Sequence, residues 1–259
     1  MPDPAAFVTV AERLRRASGR EPVASVHADI DGGMAGAYVI QAINRQQWLA
    51  ENRGLAGYKV AFTTKESQEL FGTNEPVYGT LFKDMRFESG GTIPSGILAA
   101  PKVEGEIVFE LGTDITSDDL DPQTIRAAIA AIYPALEIPD SPINGKLTAV
   151  DMAAANAAAA AYVLGKRHPV DSSFDFAGIK LTMKHNDAAV SSGLGSVCMG
   201  DPVNVLIWLA QTLVGSGIPM RRGQIVFTGS LVPIISAAPG DTFEADAGEL
   251  GTVGIRFAA

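Results

Sequence analysis

The sequence predicts an α+β fold. Helical patterning fills the first quarter of the chain, strand patterning dominates the second half, and no long flexible boundary separates them. With 259 residues, 47% of them hydrophobic and 19% charged, the chain has the balance of a globular protein with a full core. We read residues 1–259 as a single domain, with 1–55 a mainly helical N-terminal segment.

The elements follow in order. Asp3-Pro4 is a helix start, because Asp caps free N–H groups and Pro fits the first turn. That helix should pass Leu14 and stop near Gly19. A second helix, from about Ala35 to Asn52, carries Val39, Ile40, Ile43 and Leu49. Gly57 to Phe62 reads as a strand. Thr63 with Glu66 forms a capping box for a short helix ending at Gly72. Asp121-Pro122 repeats the helix-start device, with Ile125, Ala128, Ile129 and Ile132 at helical spacing until Pro134. Ile179, Leu181 and Met183 alternate with polar residues, the period of a half-buried strand, and Asn186-Asp187 is a hairpin turn. Asp201-Pro202 opens an uncharged helix that Gly215 or Gly217 closes. Strands are expected at Ile225–Thr228, Val232–Ser236, Thr242–Ala245 and Thr252–Phe257. The alanine-rich run from Ala153 to Ala161 is a small-residue packing segment.

Composition narrows the function. The net charge of −9 argues against a nucleic-acid face and against a surface for anionic lipid. Cys198 is the single cysteine, so an intrachain disulfide and a Cys-rich zinc site are excluded. Histidines 27, 168 and 185 are scattered, so a hard-metal site would have to use carboxylates. The uncharged stretch from Pro202 to Met220 is interrupted by Asn204, Gln211 and Gly215, and falls short of the ~20 apolar residues a bilayer span needs. Met1-Pro2-Asp3-Pro4 shows no basic leader into an apolar run. A cytoplasmic protein is expected.

Four clusters could carry chemistry. In Lys102–Glu110, read as a strand, Glu104 and Glu106 point to one face, roughly 6–7 Å apart at the backbone. A divalent cation between them would remove their repulsion; a solvated edge-strand face is the alternative. Glu137 is a lone carboxylate in an apolar strand, costly to bury unless paired or metal-bound; an outward-pointing side chain is equally open. Lys59, between apolar residues, either snorkels to water or acts as an acid/base group or anion clamp. Thr228-Gly229-Ser230 offers two hydroxyls and an open backbone for a carboxylate, or is a strand-end turn. Phosphate-loop and serine-elbow motifs are missing.

These segments together resemble the 2-keto-4-pentenoate (2-hydroxypenta-2,4-dienoate) hydratases and the related 2-oxohex-3-enedioate decarboxylases, in the fumarylacetoacetate-hydrolase-like superfamily. The resemblance spans nearly the whole chain. It rests on Gly57-Tyr58-Lys59-Val60, Pro76-Val77-Tyr78-Gly79-Thr80-Leu81-Phe82, Val103-Glu104-Gly105-Glu106-Ile107, Pro134-Ala135-Leu136-Glu137-Ile138, Ser191–Ser196, Gly200–Asn204 and Thr228-Gly229-Ser230, in that order and spacing. It implies a fumarylacetoacetase C-terminal-like fold, with a curled, mostly antiparallel β core and flanking helices. It implies Mg²⁺ or Mn²⁺ held by Glu104, Glu106 and Glu137, with Lys59 as the active-site lysine. It also implies a homo-oligomer acting in the breakdown of aromatic compounds on a small 2-oxo or 2-hydroxy acid. A chelated C2 oxygen would be stabilised as an enolate, followed by protonation at C5 and water addition at C4. Thr228 and Ser230 are then candidates for the substrate carboxylate.

Four departures from the family pattern stand out. Val77 replaces an Asp, Ala155 and Ala158 replace an Asp and a Ser, Pro142 replaces an Arg, and Ala61 replaces a Gly. Val77 carries no proton, which brings forward a decarboxylase for a 2-oxo-3-enedioate as the alternative to a hydratase. A fold kept as a non-catalytic binding or assembly protein is a third reading; retention of all three glutamates and Lys59 argues against it.

Overall fold

The computed structural model describes residues 4–118 and 120–259. The expected cap Asp3 lies outside them. Helix α1 (Pro4–Ala17) buries Phe7, Val10, Ala11 and Leu14, the i, i+3, i+4, i+7 stripe of an amphipathic helix. Its partner α2 (Met34–Ala50) buries Ala37, Ile40, Gln41 and Asn44, and the Asn44 amide donates to the Ala11 carbonyl at 2.9 Å. The chain then enters β1 (Leu55–Ala61), α3 (Lys65–Phe71), β2 (Val77–Phe82), β3 (Arg86–Phe87), β4 (Gly91–Ile93) and β5 (Lys102–Leu111). There follow α4 (Pro122–Ala128), β6 (Ile129–Pro139), α5 (Ala149–Ala154), β7 (Ala159–Leu164) and β8 (His168–Pro169). The last third comprises β9 (Lys180–His185), β10 (Ala188–Leu194), α6 (Pro202–Gly215), β11 (Ile225–Ser230), β12 (Ile235–Ser236), β13 (Thr242–Asp246) and β14 (Thr252–Phe257).

Two sheets organise these strands. The larger runs β2-β1-β11-β5-β6-β7-β3, with β12 added to β5 and β8 to β6; the smaller runs β10-β9-β13-β14-β4. Pairing is antiparallel except for β1/β11, β3/β7 and β14/β4. The expected mostly antiparallel core with flanking helices is therefore present. One hydrophobic cluster joins the two sheets under α6, and a second locks α1, α2 and α5 onto Phe62 and Val77. Strands β5 and β6 lie mid-sheet, and most of their residues are buried. A polar side chain on either strand is thus withdrawn from water unless the fold gives it a purpose.

Several expectations needed correction. The helix begun at Asp121 ends at Ala128, and Ile129 starts β6. Ile129 and Ile132 share a helical spacing, but mid-sheet burial of a strand also demands apolar residues without periodicity. Pro134, expected to end a helix, lies inside β6. Its carbonyl accepts from Gly165, so its missing N–H faces the point where the flanking strand changes from β7 to β8. The capping box uses Thr64 and Ser67, not Thr63 and Glu66. Val232–Ser236 shrinks to the two-residue β12. The Asn186-Asp187 turn is as expected, with φ of 49° and 66°. Among the described residues no helix is long and apolar enough to cross a membrane.

Candidate metal centre

Register brings the glutamates together. In the β5/β6 ladder Glu104 lies directly opposite Glu137, and Glu106 lies two residues further along the same face. Like charges directly opposed on a sheet repel, so this pairing destabilises the strands unless something compensates it. One carboxylate oxygen from each residue lies within 4.8 Å of the other two. Glu106 and Glu137 are fully buried, and Glu104 keeps a partial opening to solvent.

Lys59 enters from β1. It is 2% exposed, its Nζ is 3.0 Å from Glu137 Oε1, and it donates to the Ala157 carbonyl at 3.0 Å. Snorkelling, the alternative read from sequence, does not occur. Burial opposes the ammonium charge, but Glu137, Glu104 and Glu106 outweigh it and hold the pKa above the usual lysine value. Glu104 and Glu106 are also raised from their usual range. Burial first, and Glu137 second, push Glu104 up to about 7. The same two causes, with Glu104 added, push Glu106 well above an ordinary carboxylate.

Gly229 completes the frame. The β11/β5 register shifts between Phe227 and Ser230, and Gly229 takes φ +95°. This turns its N–H onto Glu106 Oε2 at 2.9 Å. A Cβ there would stand 2.3 Å from Thr63 Oγ1, so only glycine fits. Below, Cys198 Sγ lies 3.2 Å from the Gly229 carbonyl; burial pushes this thiol up to about 12, leaving it unreactive.

The cluster fits a hard divalent cation. Glu106 Oε1 and Glu137 Oε2 are buried without a hydrogen-bond donor. If all three carboxylates ionise, the one ammonium leaves two negative charges uncompensated, which a divalent cation would balance. Oxygen donors with that charge suit Mg²⁺ or Mn²⁺.

The other candidates fall differently. Thr228 is fully buried, and its hydroxyl donates to the Ile107 carbonyl at 2.8 Å. That proton pins β11 to β5 and is not offered to a ligand. Ser230, opposite Glu106 and partly exposed, donates to the Val232 carbonyl at 2.6 Å. Val77 is fully buried and shares the Lys59 face of the β1/β2 pair, where Lys59 opposes Gly79. It packs among Phe62 and Met152. Pro142 and Ala155, two further departures, line a cavity of about 280 Å³ with Arg15, Arg53 and Asn156; the three glutamates are not in its wall. His27 joins Ser25 around the buried carboxylate of Asp151, which also accepts from the backbone of Val26 and His27. This clamp ties the loop before α2 to α5.

Sequence reasoning missed Asn156 and the Ala157 carbonyl. Asn156 stood in a run read as small-residue packing and as a segment departing from the family pattern at Ala155 and Ala158, with no role given to the asparagine itself, and a backbone carbonyl leaves no signature in side-chain patterns.

Known proteins bear on this arrangement. The model of the fumarylacetoacetate (FAA) hydrolase C-terminal family matches residues 64–258. The chain is 37% identical over 222 residues to a 2-keto-4-pentenoate hydratase of Paraburkholderia xenovorans, covering 85% of this chain and 82% of that protein. It is 39% identical over 223 residues to 2-keto-4-pentenoate hydratase 1 of Dechloromonas aromatica, covering 86% and 85%. Its fold matches that of 4-oxalocrotonate decarboxylase from Pseudomonas putida G7, complexed with magnesium and adipate, at a TM-score of 0.94 and 24% identity over 99% of both chains. The chain belongs to the fumarylacetoacetate hydrolase superfamily and, within it, to the 2-keto-4-pentenoate hydratase family.

Proposed function

We propose that this protein is a divalent-metal-dependent lyase that adds water to a 2-hydroxy-2,4-dienoate. The observation that carries the reading is the buried triad of Glu104, Glu106 and Glu137, two of its oxygens unpartnered, with the Lys59 ammonium against it. The likeness to 2-keto-4-pentenoate hydratases supports the substrate class. Glu104, Glu106 and Glu137 would hold Mg²⁺ or Mn²⁺. When bound, the ion supplies Lewis acidity toward a 2-oxo or 2-hydroxy acid.

The chain's own residues do the rest. The Gly229 N–H orients Glu106, so one oxygen of that carboxylate is free to face the cluster. Lys59, kept protonated by its carboxylate neighbours, presents a proton at Nζ and orients a substrate oxygen there. Ser230 grips the substrate carboxylate once its hydroxyl turns from Val232, while Thr228 keeps β11 in register. In this reading residues 1–259 act as one domain, because the helical first 55 residues share a hydrophobic cluster with Phe62, Val77 and Ala157. A homo-oligomer is supported by the exposed Val190, Leu194 and Val197 on and beside the edge strand β10. A cytoplasmic setting is part of the same proposal.

An ultraviolet time course with 2-hydroxypenta-2,4-dienoate tests the reading, with Mg²⁺ and then with chelator. Metal-dependent loss of the dienol band, with 4-hydroxy-2-oxopentanoate as product, is expected. No loss beyond background rejects the hydratase. One observation favours a second reading. Val77 puts an apolar, buried side chain on the Lys59 face, where the family pattern has an Asp. Decarboxylation of a 2-oxo-3-enedioate needs no base to activate water, and release of CO₂ from that substrate would establish it.

A further inference from the structure

Between α5 and β7 the backbone does something costly. Asn156, Ala157 and Ala158 take φ of 56°, 51° and 57°, three consecutive non-glycine residues in the left-handed region. Closing a helix needs one such residue, and glycine or asparagine serves it without much strain. Here two alanines follow the asparagine, so the conformation exceeds what chain reversal requires.

Two features hold it. The Asn156 side chain reads the backbone of one β2 residue from both sides: Oδ1 accepts from Thr80 N at 2.7 Å, and Nδ2 donates to Thr80 O at 2.9 Å. Gly79, the residue opposite Lys59 in the β1/β2 ladder, lets the turn lie flat on the strand. A Cβ at Gly79 would stand 2.2 Å from the Asn156 carbonyl oxygen. The product of this strain is the Ala157 carbonyl, aimed at Lys59 Nζ at 3.0 Å. Glu137 sits at a similar distance from the same nitrogen. The ammonium is thus caught between a carboxylate and one fixed carbonyl dipole.

We infer that Asn156 is a positioning residue for Lys59: it holds the left-handed turn whose Ala157 carbonyl sets the place of the ammonium beside the three glutamates. This rests on the role proposed for Lys59. The Asn156 side chain bonds the β2 backbone at Thr80, and it acts on Lys59 only through the turn.

The experiment is steady-state kinetics of the Mg²⁺-loaded protein with 2-hydroxypenta-2,4-dienoate, together with the Mg²⁺-induced rise in Tm. Asn156→Ala should lower kcat about 10- to 100-fold, since small displacements of an aligned group carry penalties of that order. KM and the Mg²⁺-induced rise should stay near the wild-type values. Asn156→Asp keeps the acceptor for Thr80 N and tolerates the left-handed region, so its kcat should fall between wild type and Asn156→Ala. Should Asn156→Ala not fold, Asn156→Asp and Gly79→Ala, which displaces the same turn from the strand side, are read by the same split. Wild-type kcat in these variants overturns the inference. So does a loss of kcat matched by an equal loss of metal response, which marks general damage. Lys59→Met separates the two readings. If it retains turnover, the role of Lys59 is wrong and the inference falls with it. If it is inactive while Asn156→Ala is fully active, only the positioning role is wrong.

Discussion

Glu106→Gln should uncouple the protein from its metal while leaving it at least as stable without one. The metal-free site sets the sign. Glu106 is fully buried beside two other carboxylates, and its pKa is pushed well up by that burial and by Glu137. Gln is close to the protonated form in shape, and its amide oxygen still accepts from Gly229 N–H. The substitution therefore removes repulsion and opens no cavity. With three ionised carboxylates, an ion present at about 100 times its Kd stabilises the folded state by ~2.7 kcal/mol. At about 2–4 °C per kcal/mol for a chain near this size, Tm should rise by roughly 5–10 °C. With two carboxylates the site loses one of its three oxygen donors, and the rise should shrink to about 1 °C or less at the same concentration. Differential scanning fluorimetry with Mg²⁺, Mn²⁺ and chelator reads both quantities. An undiminished metal response in Glu106→Gln would refute the triad. A metal-free Tm several degrees below wild type would show that the carboxylate itself supports the fold.

The same site and its supports respond to pH and to substitution in other ways. Because the folded-state pKa of Glu104 is raised to about 7, the folded protein binds more protons than the unfolded chain between pH 4.5 and about 7. Metal-free stability should therefore fall as pH rises through that window, and Mg²⁺ affinity should fall by up to about tenfold for each pH unit below about 7, both measurable by pH-stepped thermal shifts. Asp151 has the opposite sign: burial opposes its charge, but hydrogen bonds from Thr148, Val26 and Ser25 outweigh it and lower its pKa. Its contribution is present above the ordinary Asp pKa and is lost as pH falls through the depressed one. Asp151→Ala should cost about 2–4 kcal/mol in denaturant unfolding at neutral pH by stranding buried donors; a loss below 1 kcal/mol would contradict the clamp. Gly229→Ala, forced into φ +95° against Thr63, should lose about 1–3 kcal/mol and weaken the metal response. Val77→Asp should raise the rate of hydration if the missing carboxylate limits it. An unchanged or lower rate rejects that idea.

The sequence alone carried the outlines of the site. Two glutamates at a spacing of two must share a strand face whatever the strand's neighbours, so Glu104 and Glu106 were legible together. The cost of burying charge drew attention to a carboxylate amid Leu136 and Ile138 and a lysine amid Tyr58 and Val60, but it left an outward-pointing Glu137 and a snorkelling Lys59 open until the family resemblance was added. Capping chemistry placed the starts of α4 and α6, since Asp followed by Pro satisfies the same free N–H groups in any helix. What sequence could not supply was register and approach. Glu137 meets Glu104 only because β6 pairs with β5 at one of many possible offsets, and hydrophobic pattern is nearly silent on offset when both faces of a strand are buried. The same burial hid the end of α4: Ile129 and Ile132 suit a helix or a central strand, and tertiary pairing chose the strand. Thr228 looked like a ligand until a neighbouring strand claimed its proton. The carbonyl that meets Lys59 depends on a glycine in β2, an asparagine in the following turn and a strained backbone between two elements. Those three meet only after the chain has folded, because the contact is made by main-chain geometry and not by a side-chain pattern.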